Sequence, residues 1–140
     1  MKQPVILMIE DNEQNRYLAT FLLQKQGYRV VSAPDGQIGI DAARHLLPDL
    51  ILLDIQLPGM DGYAVARALR KIQDLRTTPI IAVTSYAMVG DREKCLSAGC
   101  NGYIEKPINP ETFAAEIGNF LSAASEVNEP KEPCDPHTDC

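Results

Sequence analysis

The sequence predicts an α/β protein: an open, doubly wound parallel sheet of five strands with five helices on its two faces. Three observations carry that prediction. Val5–Ile9, Leu50–Leu53 and Ile80–Val83 are nearly continuous apolar runs, the pattern of strands buried on both faces in a parallel sheet. Stretches with apolar residues at three- and four-residue spacing alternate with those runs, and alternating β and α implies parallel strands joined by right-handed crossovers. Five such units in about 120 residues suit an open sheet, because a closed barrel takes roughly 250.

Taken in order, Val5–Ile9 is the first strand. The first helix is marked by Leu18, Phe21, Leu22 and Lys25, the lysine stem lying along the apolar stripe. Arg29–Ala33 is a weaker second strand, and Asp35-Gly36 opens the second helix. Leu50–Leu53 is the third strand; Pro58-Gly59 and Asp61-Gly62 after it read as turns. Val65, Leu69 and Ile72 mark the third helix, and Ile80–Val83 is the fourth strand. Cys95 and Cys100, in or after the fourth helix, read as small core residues, with Gly99 and Gly102 as helix-ending and turn residues. Gly102–Glu105 is a weak fifth strand. Asn109-Pro110 opens the fifth helix as an Asn cap with Pro at the first helical position, and Phe113, Ile117, Phe120, Leu121 and Ala124 form its stripe.

The chain has 140 residues, the size of one domain. Acids outnumber bases 19 to 13. Residues 126–140 hold five acids (Glu126, Glu129, Glu132, Asp135, Asp139) against Lys131, a net −4 that leaves only −2 on residues 1–125. That balance argues against nucleic acid, whose phosphates need a basic face. The segment 126–140, with Pro130, Pro133 and Pro136 among its acids and Val127 its one large apolar residue, reads as a disordered tail behind a domain of residues 1–125. The first apolar run is five residues long and ends in Glu10-Asp11, too short and too acidic for a signal peptide. Nothing approaches the ~18 apolar residues of a membrane helix. Four cysteines without a secretory signal read as reduced thiols, which places the expected protein in the cytoplasm, away from membranes.

In an open parallel sheet, ligands bind outside the carboxyl ends of the strands. Those ends carry Glu10-Asp11, Asp54, Thr84 and Glu105-Lys106-Pro107. An acid at one strand end is ordinarily a solvated residue or a helix cap; polar residues at five corresponding positions form a set. Clustered carboxylates raise one another's pKa unless a cation sits among them. Oxygen-only ligands select a hard ion such as Mg²⁺. A carboxylate can attack phosphorus, and a metal, a lysine and a hydroxyl can neutralise the oxygens of the transferred group.

On these residues the sequence resembles the receiver domains of two-component response regulators, over about residues 3–124. The matching features are Glu10-Asp11 after V-I-L-M-I, Asp54 in D-L-I-L-L-D-I-Q-L-P-G-M-D-G, Thr84-Ser85 after I-I-A-V, and Lys106-Pro107 in G-Y-I-E-K-P. The resemblance implies the flavodoxin-like strand order 2-1-3-4-5. It implies that Asp54 accepts phosphate from the phosphohistidine of a histidine kinase or phosphotransfer protein. Asp11, Asp54 and the backbone carbonyl of Gln56 would ligate Mg²⁺, or Mn²⁺ in its place, with Glu10 acting through a water. Thr84 and Lys106 would bind phosphoryl oxygens, Tyr103 would be an aromatic switch, and the Lys106–Pro107 bond would be cis. Gln56 and Tyr86 would flank the approach of the hydrolytic water and set the phosphate's lifetime.

Two other classes fit less well. A haloacid-dehalogenase-type phosphatase wants a second Asp two residues after its nucleophile, where this chain has Gln56, and its nucleophile on strand 1. A flavodoxin-like FMN carrier wants Ser, Thr and Gly in the first loop, where Glu10-Asp11-Asn12-Glu13 would repel a phosphate. No effector domain is expected after residue 125, and Met1 close before strand 1 favours a stand-alone protein. Output is then expected through helix 4, strand 5 and helix 5 to a downstream effector, or by relay of the phosphate, from a monomer or weak dimer. Cys134, His137 and Cys140 are spaced for zinc or redox chemistry but lack the glycines and apolar anchors of small zinc modules, so a plain tail is the expected reading.

Overall fold

The computed structural model describes residues 3–57, 59–85 and 90–128, the last five by backbone alone. Five strands alternate with five helices: β1 (Val5–Ile9), α1 (Glu13–Lys25), β2 (Arg29–Ala33), α2 (Gly36–Leu46), β3 (Leu50–Asp54), α3 (Gly62–Arg70), β4 (Ile80–Thr84), α4 (Asp91–Ala98), β5 (Gly102–Glu105) and α5 (Phe113–Asn128). A short 3-10 turn, Gln73–Leu75, lies between α3 and β4. The strands are all parallel, in the order β2-β1-β3-β4-β5.

Two cores explain the unbroken apolar runs. Leu7, Ile9, Ile51, Leu53, Ile80 and Ala82 face one side, against Ile40 and Ala43 of α2, Val65 and Leu69 of α3 and Cys95 of α4. Their neighbours Ile6, Met8, Leu50, Leu52, Ile81 and Val83 face the other, against Ala19 and Leu23 of α1 and Phe113 and Ile117 of α5. Successive strand residues point to opposite faces, so both must be apolar when both faces are covered. Each such Leu, Ile or Phe contributes about 1.5–3 kcal/mol by leaving water. The edge strands β2 and β5 are less buried, with half-buried Val30, Val31 and Tyr103, which is why their sequences read weakly.

Several local expectations are corrected. On α1 the buried residues are Ala19 and Leu23, one position on from the expected stripe. Phe21 is 51% exposed, and Lys25 sits over its ring, 5.7 Å from the centroid, on the solvent side. Ile72 lies past the end of α3 and leads into the 3-10 turn. Asp61-Gly62 starts α3, the Asp61 side chain accepting from the Tyr63 N–H. Gly102 is a strand residue, kept small because a Cβ there would press on the Phe120 ring. Asn109 accepts from Glu111 N–H, so it closes a turn, and α5 begins at Phe113. At its other end α5 runs to Asn128. Pro58, Tyr86, Cys134, His137 and Cys140 lie outside the described residues. Among the described residues, no helix is long and apolar enough to cross a membrane.

Candidate functional site

The strand order places the site. From β1 the chain runs to β2 on one side and then to β3 on the other, so the loops leaving β1 and β3 diverge and open a crevice. Ile9 pairs with Leu53 in register, which brings Glu10 and Asp54 level at the rim. Asp54 pairs with Val83, and Thr84 with Glu105, so Thr84 and Lys106 stand just beyond on the β4–β5 side.

Glu10, Asp11 and Asp54 converge: a carboxylate oxygen from each lies within 4.8 Å of the others. Asp54 and Glu10 are buried, at 2% and 4% exposure, while Asp11 is exposed. Lys106 reaches in from the end of β5, its Nζ 3.2 Å from Glu10 Oε1 and 3.4 Å from Asp54 Oδ1. The Lys106 N–H donates to the Thr84 carbonyl at 2.8 Å, tying its backbone to β4, and the Lys106–Pro107 bond is cis. Thr84 is itself buried at the end of β4. Three carboxylates against one ammonium leave the cluster electron-rich. Burial above all, and then the Asp54 charge, push the Glu10 carboxyl above its ordinary pKa, while Lys106 and the Asn12 N–H pull it down. All-oxygen donors with excess negative charge fit a hard divalent cation, and Glu10, Asp11 and Asp54 are the side chains that would hold it.

The supports include groups that sequence reading missed. Asn12 caps α1 through the Asn15 N–H (2.8 Å), while its own N–H donates to Glu10 Oε2 (3.2 Å). Arg16 Nη1 holds the Glu10 carbonyl at 2.9 Å. Asn before Glu13 was a readable cap signal; the Arg16 contact leaves no mark in sequence. The Gln56 N–H donates to Asp54 Oδ1 at 3.0 Å, and the Gln56 side chain is exposed. Gly62 backs that loop: its N–H donates to the Ile55 carbonyl at 3.0 Å, and a Cβ would overlap the Ile55 main chain. Tyr103 lies on β5, half-buried, opposite Ala82 and beside a cleft it shares with Arg92, Leu96 and Phe120.

Fold and rim together define a class: an open α/β domain with an all-oxygen cation pocket where the strand order reverses. Comparison with known proteins narrows it. Residues 6–118 match the family model of the response regulator receiver domain. The polar-differentiation response regulator DivK of Brucella ovis is 41% identical over 119 residues, covering 85% of this chain and 97% of that protein. The solved receiver domain of a sensor histidine kinase from Pseudomonas aeruginosa PAO1, with a magnesium ion coordinated in its active-site cleft, is 36% identical with a TM-score of 0.79. That alignment covers 86% of this chain and 99% of the other. The chemotaxis response regulator CheY4 of Vibrio cholerae gives 27% identity and a TM-score of 0.81, over 85% and 99% of the two chains. The chain belongs to the response regulator receiver family, the phosphoacceptor domains of two-component signalling.

Proposed function

We propose that Asp54 is the phosphoryl acceptor, taking the group from the phosphohistidine of a histidine kinase or histidine phosphotransfer protein. The observation that carries this is the ammonium of Lys106 standing 3.4 Å from Asp54 Oδ1 within the acid cluster. In the transfer an Asp54 oxygen attacks phosphorus, and the P–N bond breaks. The donor imidazole leaves with the electron pair. Lys106 and the Thr84 hydroxyl neutralise the phosphoryl oxygens as charge spreads over them. Asp11, Asp54 and the Gln56 carbonyl would hold Mg²⁺ or Mn²⁺ directly, with Glu10 acting through a water; the ion supplies further charge neutralisation. The domain thus catalyses phosphorylation of its own side chain and, with Gln56 and Tyr86 setting its lifetime, the loss of that phosphate.

Phosphorylation draws Thr84 toward the new group and lets Tyr103 turn inward. The face formed by α4, β5 and α5 then changes for a downstream effector, or the phosphate passes onward. The setting is the cytoplasm, in keeping with Cys95 and Cys100 being free thiols. Intact-mass measurement with a small phosphodonor and Mg²⁺ tests the assignment. One phosphate should be added to the wild-type protein and none to Asp54→Asn; equal gain on both would overturn it.

A further inference from the structure

At the end of the sheet opposite the acid cluster, a cleft of ≈ 590 Å³ runs between the last turns of α2 and α3. Its walls carry three exposed cations, Arg44, Arg67 and Lys71, over a floor of Ala64, Ala68 and Ile72, and no acid lines it. Among the described residues Arg44, Arg67 and Lys71 form no ion pair with a carboxylate. Cations at helix C-termini favour the helix dipole. That accounts for each one singly; it leaves their donors unmatched where the two helices bring them together.

We propose that this cleft receives the acidic segment 129–140 of the same chain. Charge complementarity is the first ground. The segment carries Glu129, Glu132, Asp135 and Asp139 against Lys131, acids at three- to four-residue spacing against three cations. Position is the second. α2, α3 and α5 each start at the rim and run back against the strands, so all three end at the same end of the sheet. Reach is the third. α5 ends at Asn128 on the opposite face, but twelve further residues span up to about 40 Å. A domain of this size has a radius of gyration near 14 Å. The segment therefore reaches round the sheet end. The placement is independent of the role given to Asp54.

Zero-length carbodiimide cross-linking of the full chain at low ionic strength, mapped by mass spectrometry on the monomer fraction, tests it. The expected result is Lys71 joined to one or more of Glu129, Glu132, Asp135 and Asp139. The yield should fall about tenfold in Arg44→Gln/Arg67→Gln, equivalent to 1.4 kcal/mol. It should fall likewise in wild type at ~1 M NaCl, where the Debye length is about 3 Å. Both arginines are exposed, so the variant keeps its fold, and the salt arm needs no variant. Three outcomes would overturn the proposal. They are equal linking of the segment to Lys25, Lys94 and Lys71, yields indifferent to variant and salt, or links found only in a dimer fraction.

Discussion

Lys106 Nζ lies 3.4 Å from Asp54 Oδ1, with both side chains largely withdrawn from water, at 14% and 2% exposure. The same ammonium is 3.2 Å from Glu10 Oε1, so one cation serves two buried carboxylates. Removing one partner of a buried pair leaves the other uncompensated.

Lys106→Met should therefore lower the stability of the metal-free domain by about 1–2 kcal/mol, less than a fully buried pair would lose because the lysine keeps some solvent. It should also tighten Mg²⁺ binding, since the cluster becomes more negative. Thermal melting with and without Mg²⁺ checks both signs. A variant that binds the ion more weakly would contradict this account of the cluster.

Asp11→Asn should act in the opposite sense. It removes one carboxylate from a cluster whose oxygens lie within 4.8 Å of each other, so metal-free stability should rise. Mg²⁺ affinity should fall by tenfold or more, since even outer-shell partners cost about 10–100-fold. The wild-type melting temperature should climb with millimolar MgCl₂ and hardly move at the same ionic strength of NaCl, because a ligand bound only by the folded state stabilises it. Equal rises with both salts would indicate general screening.

Glu10 adds a pH dependence. Its folded-state pKa is raised by burial first and then by Asp54, so the charged form is the one folding disfavours. Its contribution to stability is fully present below the unfolded pKa of about 4.3 and is lost as pH rises through the raised folded value. Glu10→Gln, whose amide oxygen can still accept from Lys106 and the Asn12 N–H, should be more stable than metal-free wild type at neutral pH. The gap should close as pH falls toward the unfolded value. Urea melts across that window check the trend; a gap that widens on acidification would reverse the assigned cause.

These three acids were legible in sequence because each ends an apolar run, and a charged residue directly after a buried strand must stand at its rim. The parallel α/β class was legible for the same reason, since runs such as Leu50–Asp54 are buried along their whole length. Strand order is set by contacts between distant segments, and it came from family resemblance. The face of α1 was misread because Leu18-Phe21-Leu22 and Ala19-Leu22-Leu23 both satisfy a helical period. Packing into the cluster with Ile6, Met8, Phe113 and Ile117 chooses between them. The start of α5 was misread because Asn109-Pro110 serves a tight turn as well as it serves a helix cap.

Arg70 shows what sequence could not reveal. At the end of α3 it is half-buried and bonded almost wholly to main-chain oxygens. Nε donates to the Gly99 carbonyl at 2.8 Å, and Nη1 to those of Leu75 (2.7 Å) and Thr78 (2.6 Å). Nη2 donates to Asn101 Oδ1 at 2.7 Å, which also accepts from the Ile80 N–H at 2.8 Å. One guanidinium thus ties the end of α3 to the 3-10 turn, the entry to β4 and the end of α4. Lysine has its donors at a single point and cannot span these acceptors. Bonds to a charged donor contribute about 1.5–3 kcal/mol each, and a lysine would recover one or two of them. Arg70→Lys should therefore destabilise the domain by about 2–3 kcal/mol. Amide exchange should quicken at Ile80 and Cys100, which lie beside these bonds, and stay unchanged at Gln56, whose N–H is held by Asp54 at the far end of the sheet. Equal acceleration at Gln56 would mean that Arg70 supports the whole fold instead of this corner of it.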